Sequence, residues 1–550
     1  MKLREYQRDA LNGICEALRE CDSTLLCLPT GTGKTVVFAQ AAKIASKRVL
    51  IIAHRDELIE QGAAKVHLIT GERPEIEKAE RYSNERSMFK SKCVVASVQT
   101  LNAKSGGARR VERFDPHEFS LLIIDEAHHA VATSYKNVIE HFQQNPSLKL
   151  IGVTATPDRT DEVAMKNVFE SVAYEYSLRE AISDGWLVPV RSMPAHIRGL
   201  DLSSLRDVAG DFHQGELAGI MESEDTLHAV ASETIARMGK RKVLIFAVSV
   251  EQSEKLAEIL DRHISGCARC VSGETPPEDR RQMLRDYDQG KFQVLVNCMV
   301  ATEGFDQPGI GMVVIARPTK SRSLFAQMVG RGTRPLAGVV DGTPETPIER
   351  KVAIANSAKP DCIILDFKGN LGKHDLAGLP DILGGKMSSE VIARAKEHED
   401  AAADDKSPID VIALLELAEK EIEAEEKKRK DKDRRRLIKV KGIVDVEEIA
   451  AFSIYGMPKR IQPPFRSLPL SEGQRDVLRK QGVPFERLDS WQQRALFKET
   501  VKRFKQNKCS FRQAKLLQRY GCSTDCSFAE ARVIIDRLAA NGWKATDEKK

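Results

Sequence analysis

From residue 1 to about residue 370, short apolar, β-branched runs alternate with segments long enough to be helices. In the first half the runs are Val49–Ala53, Cys93–Ser97, Leu121–Asp125 and Leu150–Thr154. In the second half they are Val243–Ala247, Val294–Asn297, Val313–Ala316 and Ile363–Asp366. Each is apolar throughout rather than at alternate positions, as a parallel strand covered on both faces must be. Strands spaced by helices imply βαβ units and a doubly wound sheet. Two such series, parted by a less regular stretch near 186–225, predict one α/β lobe over 1–190, a connection over 191–225 and a second lobe over 226–372.

After about residue 375 the texture changes. Residues 372–405 carry Gly, Pro and charge without a strand signal, and 408–436 read as a long polar helix with Ile409, Ile412, Leu415 and Ile422 as a thin apolar stripe. We therefore place a charged helical linker over 373–470 and a small basic domain over 471–550, where Ala514-Lys-Leu-Leu and Ala531-Arg-Val-Ile-Ile have helical spacing. The expected fold class is α/β: two tandem doubly wound parallel-sheet lobes, a charged helical linker and a small, mostly α-helical C-terminal domain.

Composition narrows the class. The 550 residues are 41% hydrophobic and 30% charged, which suits a water-soluble chain. No apolar run approaches the roughly 18 residues of a membrane helix. The start, Met1-Lys-Leu-Arg-Glu-Tyr-Gln, lacks the apolar core of a signal peptide, so a cytoplasmic location is expected, with no membrane partner. The eleven cysteines are scattered and mostly lie in apolar surroundings, as at Cys27, Cys93, Cys298 and Cys362. That is the usage of small hydrophobes rather than a disulfide framework. Cys267-Ala-Arg-Cys270 has no second pair beside it, and Cys509, Cys522 and Cys526 lack an obvious fourth ligand; neither reads as a zinc site.

The net charge of +5 is unevenly spread. Residues 427–442 hold ten Lys and Arg against Asp431 and Asp433, and residues 471–550 hold eighteen against ten acids, each a local +8. An acidic front with a basic rear suits capture of a polyanion by the C-terminal part. Phe497, Phe504, Phe511, Tyr520 and Trp543 interleave there with Lys and Arg, as base-stacking residues or as the core of a helical domain.

Chemistry is concentrated in a few motifs. Leu28-Pro-Thr-Gly-Thr-Gly-Lys-Thr35 follows the apolar Leu25–Leu28 and precedes a helical stretch, which is the strand–loop–helix context of a phosphate-binding loop. Thr30, Gly31, Thr32 and Gly33 would wrap phosphate oxygens with backbone N–H groups. Lys34 would reach the β- and γ-phosphates, and Thr35 would ligate Mg²⁺. Leu28 departs from the general pattern, which has Gly at that position. Leu121-Leu-Ile-Ile-Asp-Glu-Ala-His-His129 ends a strand in two acids. Asp125 is placed to hold Mg²⁺ and Glu126 to orient and deprotonate the attacking water.

With these motifs in order, the chain resembles a superfamily 2 helicase/translocase, over about residues 3–335. That resemblance implies two RecA-like lobes with ATP and Mg²⁺ between them. Leu3-Arg-Glu-Tyr-Gln7 resembles the adenine-recognition element, in which Arg4 and Gln7 would read the base. Ile52-Ala-His-Arg-Asp-Glu-Leu58 and Ser97-Val-Gln-Thr-Leu101 resemble motifs Ia and Ib, implying backbone contacts from His54, Arg55, Ser97, Gln99 and Thr100. Thr154-Ala-Thr-Pro157 resembles motif III and Ile245-Phe-Ala motif IV. Ala301-Thr-Glu-Gly-Phe-Asp306 resembles motif V, with Thr302 on the track side and Asp306 near the ribose. Gln327-Met-Val-Gly-Arg-Gly-Thr-Arg334 resembles motif VI. Gln327 is a further catalytic candidate there, and Arg331 and Arg334, three apart and on one face if helical, are candidate arginine fingers.

The form of the P-loop, His54–Leu58 and Gln327–Arg331 look closer to the XPB-like and restriction-motor branch than to splicing-type DEAH helicases, so DNA is the preferred track over RNA. The tail over 471–545 resembles small helical tails on helicases of phages and prophages, implying a bacterial or phage source, and a protein partner through the C-terminal region is expected as well. An RNA helicase, and the motor chain of a restriction or anti-phage defence complex, are the alternatives. A nucleotide-dependent scaffold that switches without moving fits less well, because it does not need Glu126, Arg331 and Arg334 together.

Overall fold

A computed structural model of the chain describes residues 3–53, 56–79, 81–83, 90–105, 107–155, 165–208, 210–298, 307–342, 345–370, 374–402, 407–440, 469–482 and 490–543. The chain divides into two units, Met1–Glu426 and Lys427–Lys550.

The first unit holds two parallel sheets. The strands before residue 180 are β1 (Ser23–Cys27), β2 (Arg48–Ala53), β3 (Glu75–Glu77), β4 (Cys93–Ser97), a short hairpin of β5 (Lys104–Ser105) and β6 (Ala108–Arg109), β7 (Phe119–Asp125), β8 (Lys149–Thr154) and β9 (Ser171–Glu175). The sheet order is β3-β4-β2-β7-β8-β1-β9, with every pairing parallel. The second lobe contributes β10 (Val190–Asp201), a hairpin of β11 (Asp207–Val208) and β12 (Asp211–Phe212), then β13 (Lys242–Ala247), β14 (Ala268–Val271), β15 (Val294–Asn297), β16 (Ile310–Ala316) and β17 (Cys362–Asn370). Its sheet order is β10-β17-β16-β13-β15-β14, also parallel throughout.

All eight apolar runs chosen from the sequence are strands of these sheets. The reason is burial on both faces: Leu50, Ile51, Ile123 and Ile151, and across the second sheet Leu244, Ile245, Val313 and Ile364, are essentially fully enclosed. Each such side chain stabilises the fold by about 1.5–3 kcal/mol relative to exposure. The strands missed by the pattern lie at sheet edges. β3 has three residues, and β9 alternates half-buried and exposed positions, so neither carries a continuous apolar run.

Two boundaries move. The connection drawn over 191–225 begins inside β10, which is the edge strand of the second sheet and pairs along β17 from Val190 with Cys362. Paired along its length with β17 and bridged on its other side at Ser192, it tolerates Arg191, Ser192 and His196 and so lacks the continuous apolar signature. The linker drawn from 373 is also too early. Helices Leu379–Leu383 and Ser389–Ala401 and the start of Val411–Val440 bury Leu379, Ile382, Leu383, Val391, Ile392, Ala395, Val411, Leu415 and Ala418 in the core of the first unit. Ile409, expected inside the long helix, instead bridges backbone to backbone with Ser192 of β10.

The second unit contains helices Glu472–Lys480, Ser490–Lys505, Phe511–Arg519 and Phe528–Ala540. Leu470, Leu478, Leu496 and Phe511 form one small core, and Cys509, Leu517, Ala531 and Leu538 another. Of its aromatics, Phe511 is buried and Phe497 and Tyr520 pack against these cores, whereas Phe504 is 88% exposed. All eleven cysteines are free thiols, with Cys27, Cys93, Cys298 and Cys362 buried. Among the described residues, no helix is long and apolar enough to cross a membrane.

Candidate active site

The P-loop leaves β1 at Cys27 and enters the helix Lys34–Ile44 directly. Gly31 and Gly33 have φ of 91° and 81°, the left-handed region that favours glycine. A β-carbon on Gly33 would also fall 2.8 Å from Gln7 Nε2. The Thr32 hydroxyl donates to the Pro29 carbonyl at 2.7 Å, closing the loop on itself.

The opening helix, Glu5–Glu20, braces this loop. Tyr6 Oη and Gln7 Nε2 donate to the Thr32 carbonyl at 2.6 and 3.0 Å, while Gln7 Oε1 accepts from the Arg4 N–H at 3.1 Å. Both ends of the Gln7 amide are thus engaged within the protein. Arg4 points elsewhere: its guanidinium pairs with Asp341 of the second lobe at 2.8 Å and lies 4.6 Å from the centre of the Trp186 ring. Arg350 approaches the same ring at 3.9 Å. Gln7 thus braces the loop, and Arg4 ties it to the second lobe through Asp341.

Asp125 ends β7, and Glu126 follows with φ 51° and ψ 58°. A non-glycine residue in that region stores about 1–2 kcal/mol of strain. The turn aims the carboxylate at Lys34, whose Nζ lies 3.1 Å from Glu126 Oε1; His128 Nδ1 lies 3.6 Å from Oε2. The Glu126 N–H donates to Asp125 Oδ1 at 3.0 Å. Burial alone would push the Glu126 carboxyl up, but Lys34, His128 and Arg331 together hold it below its ordinary value. Thr35 stands beside Lys34 in the first helical turn. Among the described residues no group of three or more His, Cys, Asp or Glu could hold a metal by itself.

The facing wall comes from the second lobe. The helix Arg322–Gly330, capped by Ser321, carries buried Gln327 and ends against the P-loop: a β-carbon on Gly330 would stand 2.6 Å from Thr30 Cβ. Arg331 caps the helix, mostly buried and close enough for its charge to act on Glu126. Arg334 lies beyond the helix, so the two arginines do not share a helical face as expected. Its Cγ and Nε nevertheless come within 3.0 and 3.5 Å of where a Gly31 β-carbon would be. Burial, with Arg4 nearby, pulls the Arg334 guanidinium down to about 10.

One residue here carries no motif signal. Lys359, 4% exposed, donates to the Arg334 carbonyl at 2.6 Å and the Pro308 carbonyl at 2.7 Å, and burial depresses it to about 8. A lysine between Ala358 and Pro360 gives no pattern by which to find it; only the tertiary contact does.

The expected track-side residues are partly visible. Ser97 is buried at the end of β4, with its hydroxyl 2.7 Å from Gln99 Oε1; Gln99 is exposed, and Thr100 Oγ1 accepts from the Ala79 N–H at 3.1 Å. His54, Arg55, Thr156, Pro157 and the whole of Ala301–Asp306, with Thr302 and Asp306, lie outside the described residues.

Residues 1–159 match the family described as type III restriction enzyme, res subunit, and residues 225–335 match the helicase conserved C-terminal domain. IRC3 of Saccharomyces cerevisiae, named as an ATP-dependent helicase, is 29% identical over 77% of this chain and 59% of its own length. Its namesake in Schizosaccharomyces pombe, named as mitochondrial, is 31% identical over 70% of this chain and 60% of its own length. The chain thus spans about three fifths of these relatives. A structure named as a fragment of an HsdR subunit of a type I restriction enzyme from Vibrio vulnificus shares the fold, with a TM-score of 0.50 and 24% identity over 69% of this chain and 66% of that one. Through both lobes, the chain is related to the superfamily 2 helicases and to subunits of restriction enzymes.

Proposed function

We propose that this chain is an ATP-dependent motor on DNA, hydrolysing ATP between its two lobes and converting the cycle into movement along or remodelling of the nucleic acid. The observation that carries this reading is the approach of Gly330 and Arg334 to the P-loop, with Lys34 and Glu126 on one wall and two second-lobe guanidinium groups on the other.

In this reading the ATP phosphates draw Lys34 away from Glu126. The released carboxylate takes a proton from water as the water oxygen bonds the γ-phosphorus, and the bond to the β-phosphate oxygen breaks. Glu126 Oε2 suits that task, being buried and accepting no hydrogen bond among the described residues. Arg331 and Arg334 offset the charge that develops on the transferred group. Thr35 and Asp125 are the residues that would hold Mg²⁺, which supplies charge neutralisation at the phosphates. Hydrolysis then removes the group both lobes grip and loosens their contact, the elementary step of a domain-closure motor. Ser97, Gln99 and Thr100 on the first lobe, with His54, Arg55 and Thr302, are our candidates for holding the track.

The likeness of residues 1–159 to a restriction-enzyme subunit favours a second reading, in which the motor serves a complex whose effector is another chain. Steady-state ATPase measured with single-stranded DNA, duplex, forks, R-loops and RNA tests both readings. DNA should raise turnover, and Lys34→Ala or Glu126→Gln should remove the rise. Turnover indifferent to every nucleic acid would end the motor reading, and a larger response to RNA than to DNA would change the track.

A further inference from the structure

A second ordered cluster stands at the carboxyl edge of the first sheet. Glu77, the last residue of β3, is fully buried and receives two arginines. Arg110, 8% exposed, donates to its carboxylate and to the carbonyls of Ala79 and Arg81, the last at 2.7 Å. Arg113 Nη1 donates to the same carboxylate at 3.1 Å. The two guanidinium groups lie 3.6 and 4.9 Å from the centre of the Tyr82 ring. Two cations on one carboxylate leave a net positive charge beside that ring.

Tyr82 is nonetheless 59% exposed. A large aromatic left in water while its neighbours are locked by a buried ion network is an anchor held ready at little entropic cost. Its position is informative. The same loop is tied to motif Ib through the Ala79 N–H on Thr100 Oγ1, and the exposed Gln99 and Lys104 flank that contact. In open α/β sheets, ligands meet the carboxyl ends of the strands. Glu60, an acid joined to the same loop, is paired with Arg81 at 2.5 Å.

We propose that Tyr82 is a stacking platform for an unpaired base of the strand that the motor follows, positioned by the Glu77–Arg110–Arg113 network. The proposal rests on the motor reading. An aromatic ring accepts any base on its π-face, and such stacking is worth about tenfold in affinity per base. A merely structural tyrosine would cover Arg110 and do nothing more, a job that leucine can also do.

The test uses the full chain, titrated into fluorescein-labelled oligo(dT), oligo(U) and a blunt DNA duplex, with thermal unfolding confirming that each variant folds. Tyr82→Leu and Tyr82→Ala should weaken single-strand binding about tenfold, and the DNA concentration giving half-maximal ATPase should rise by the same factor. Tyr82→Phe and Tyr82→Trp should bind like wild type, and duplex affinity should not change. In an oligonucleotide carrying 2-aminopurine, quenching on binding should weaken in Tyr82→Leu. The oligo(dT) and oligo(U) arms tell DNA from RNA. If Tyr82→Leu binds single strands like wild type, the platform is refuted while the motor reading stands. If the wild-type chain neither binds nor responds to any nucleic acid, the motor reading itself has failed.

Discussion

Glu126 combines a left-handed backbone, a buried carboxylate and a lysine at 3.1 Å, and each feature bears on what its substitution will do. Lys34→Ala leaves Glu126 buried without its main counter-charge, and breaking a buried pair costs about 3–5 kcal/mol. Loss of turnover in that variant will therefore come with loss of stability. Glu126→Gln is the cleaner probe, because the amide keeps shape and polarity. It should lower turnover about 10²–10⁴-fold, the usual contribution of a general base, while nucleotide binding persists in a fluorescent-ATP titration. Because the folded Glu126 sits below its ordinary value, its ionised pairing stabilises the protein at neutral pH and is lost only as pH falls through that depressed value. Arg334→Ala should keep ATP binding and lose about 10³–10⁵ in turnover if it acts as a finger. Lys359 donates to the Arg334 carbonyl at 2.6 Å, so it is expected to act through Arg334 rather than on substrate. Lys359→Met should therefore depress kcat far more than it alters KM for ATP, by up to about 10²-fold if Arg334 is misplaced by about 1 Å; equal changes in both would assign it to binding instead.

At the scale of elements, the helix Arg322–Gly330 delivers the second wall, and its last residue has no room for a side chain. Gly330→Ala places a methyl group 2.6 Å from Thr30 Cβ and must push the lobes apart there. The expected result is a fall in ATPase of about tenfold or more, with the unfolding midpoint little changed, since the helix itself gains from alanine. β17 offers a test of electrostatics. Asp366 is buried near Glu399 and Asp400, and burial above all raises its carboxyl from 3.8 to about 7, against the pull of Lys368. Between those two values the folded chain holds a proton that the unfolded chain has released, so stability falls as pH rises through that window. Asp366→Asn should flatten this slope in urea unfolding measured at pH 5 and pH 8, and should be more stable than wild type at the higher pH.

Over the whole molecule, the division at Glu426 and Lys427 decides where the chain can be cut. A truncation near residue 375, where the sequence texture changes, would remove Leu383, Val391, Ala395 and Leu415 from the core of the first unit. Cutting after Glu426 spares them. That shorter protein should keep its basal ATPase yet bind DNA more weakly, with a shallower dependence of log affinity on log salt, because it has lost the basic residues that release counterions. Unchanged affinity and slope would show that the C-terminal unit does not touch the track.

The division between sequence and structure follows from the range of the interactions. Both sheets were legible because parallel strands buried on both faces need continuous apolar runs, and the P-loop and the Asp125–Glu126 pair were legible because each is a local strand-to-turn geometry written in adjacent residues. Edge strands such as β9 and β10 were not, since a largely open side relaxes the pattern. What only the tertiary structure decided are the meetings between distant segments: Gly330 on Thr30, Arg334 over Gly31, Lys359 beneath Arg334, and Arg4 paired with Asp341. A side chain's type states which partners it can take, but only the folded backbone, closing loops of tens to hundreds of residues, determines which partner is within reach.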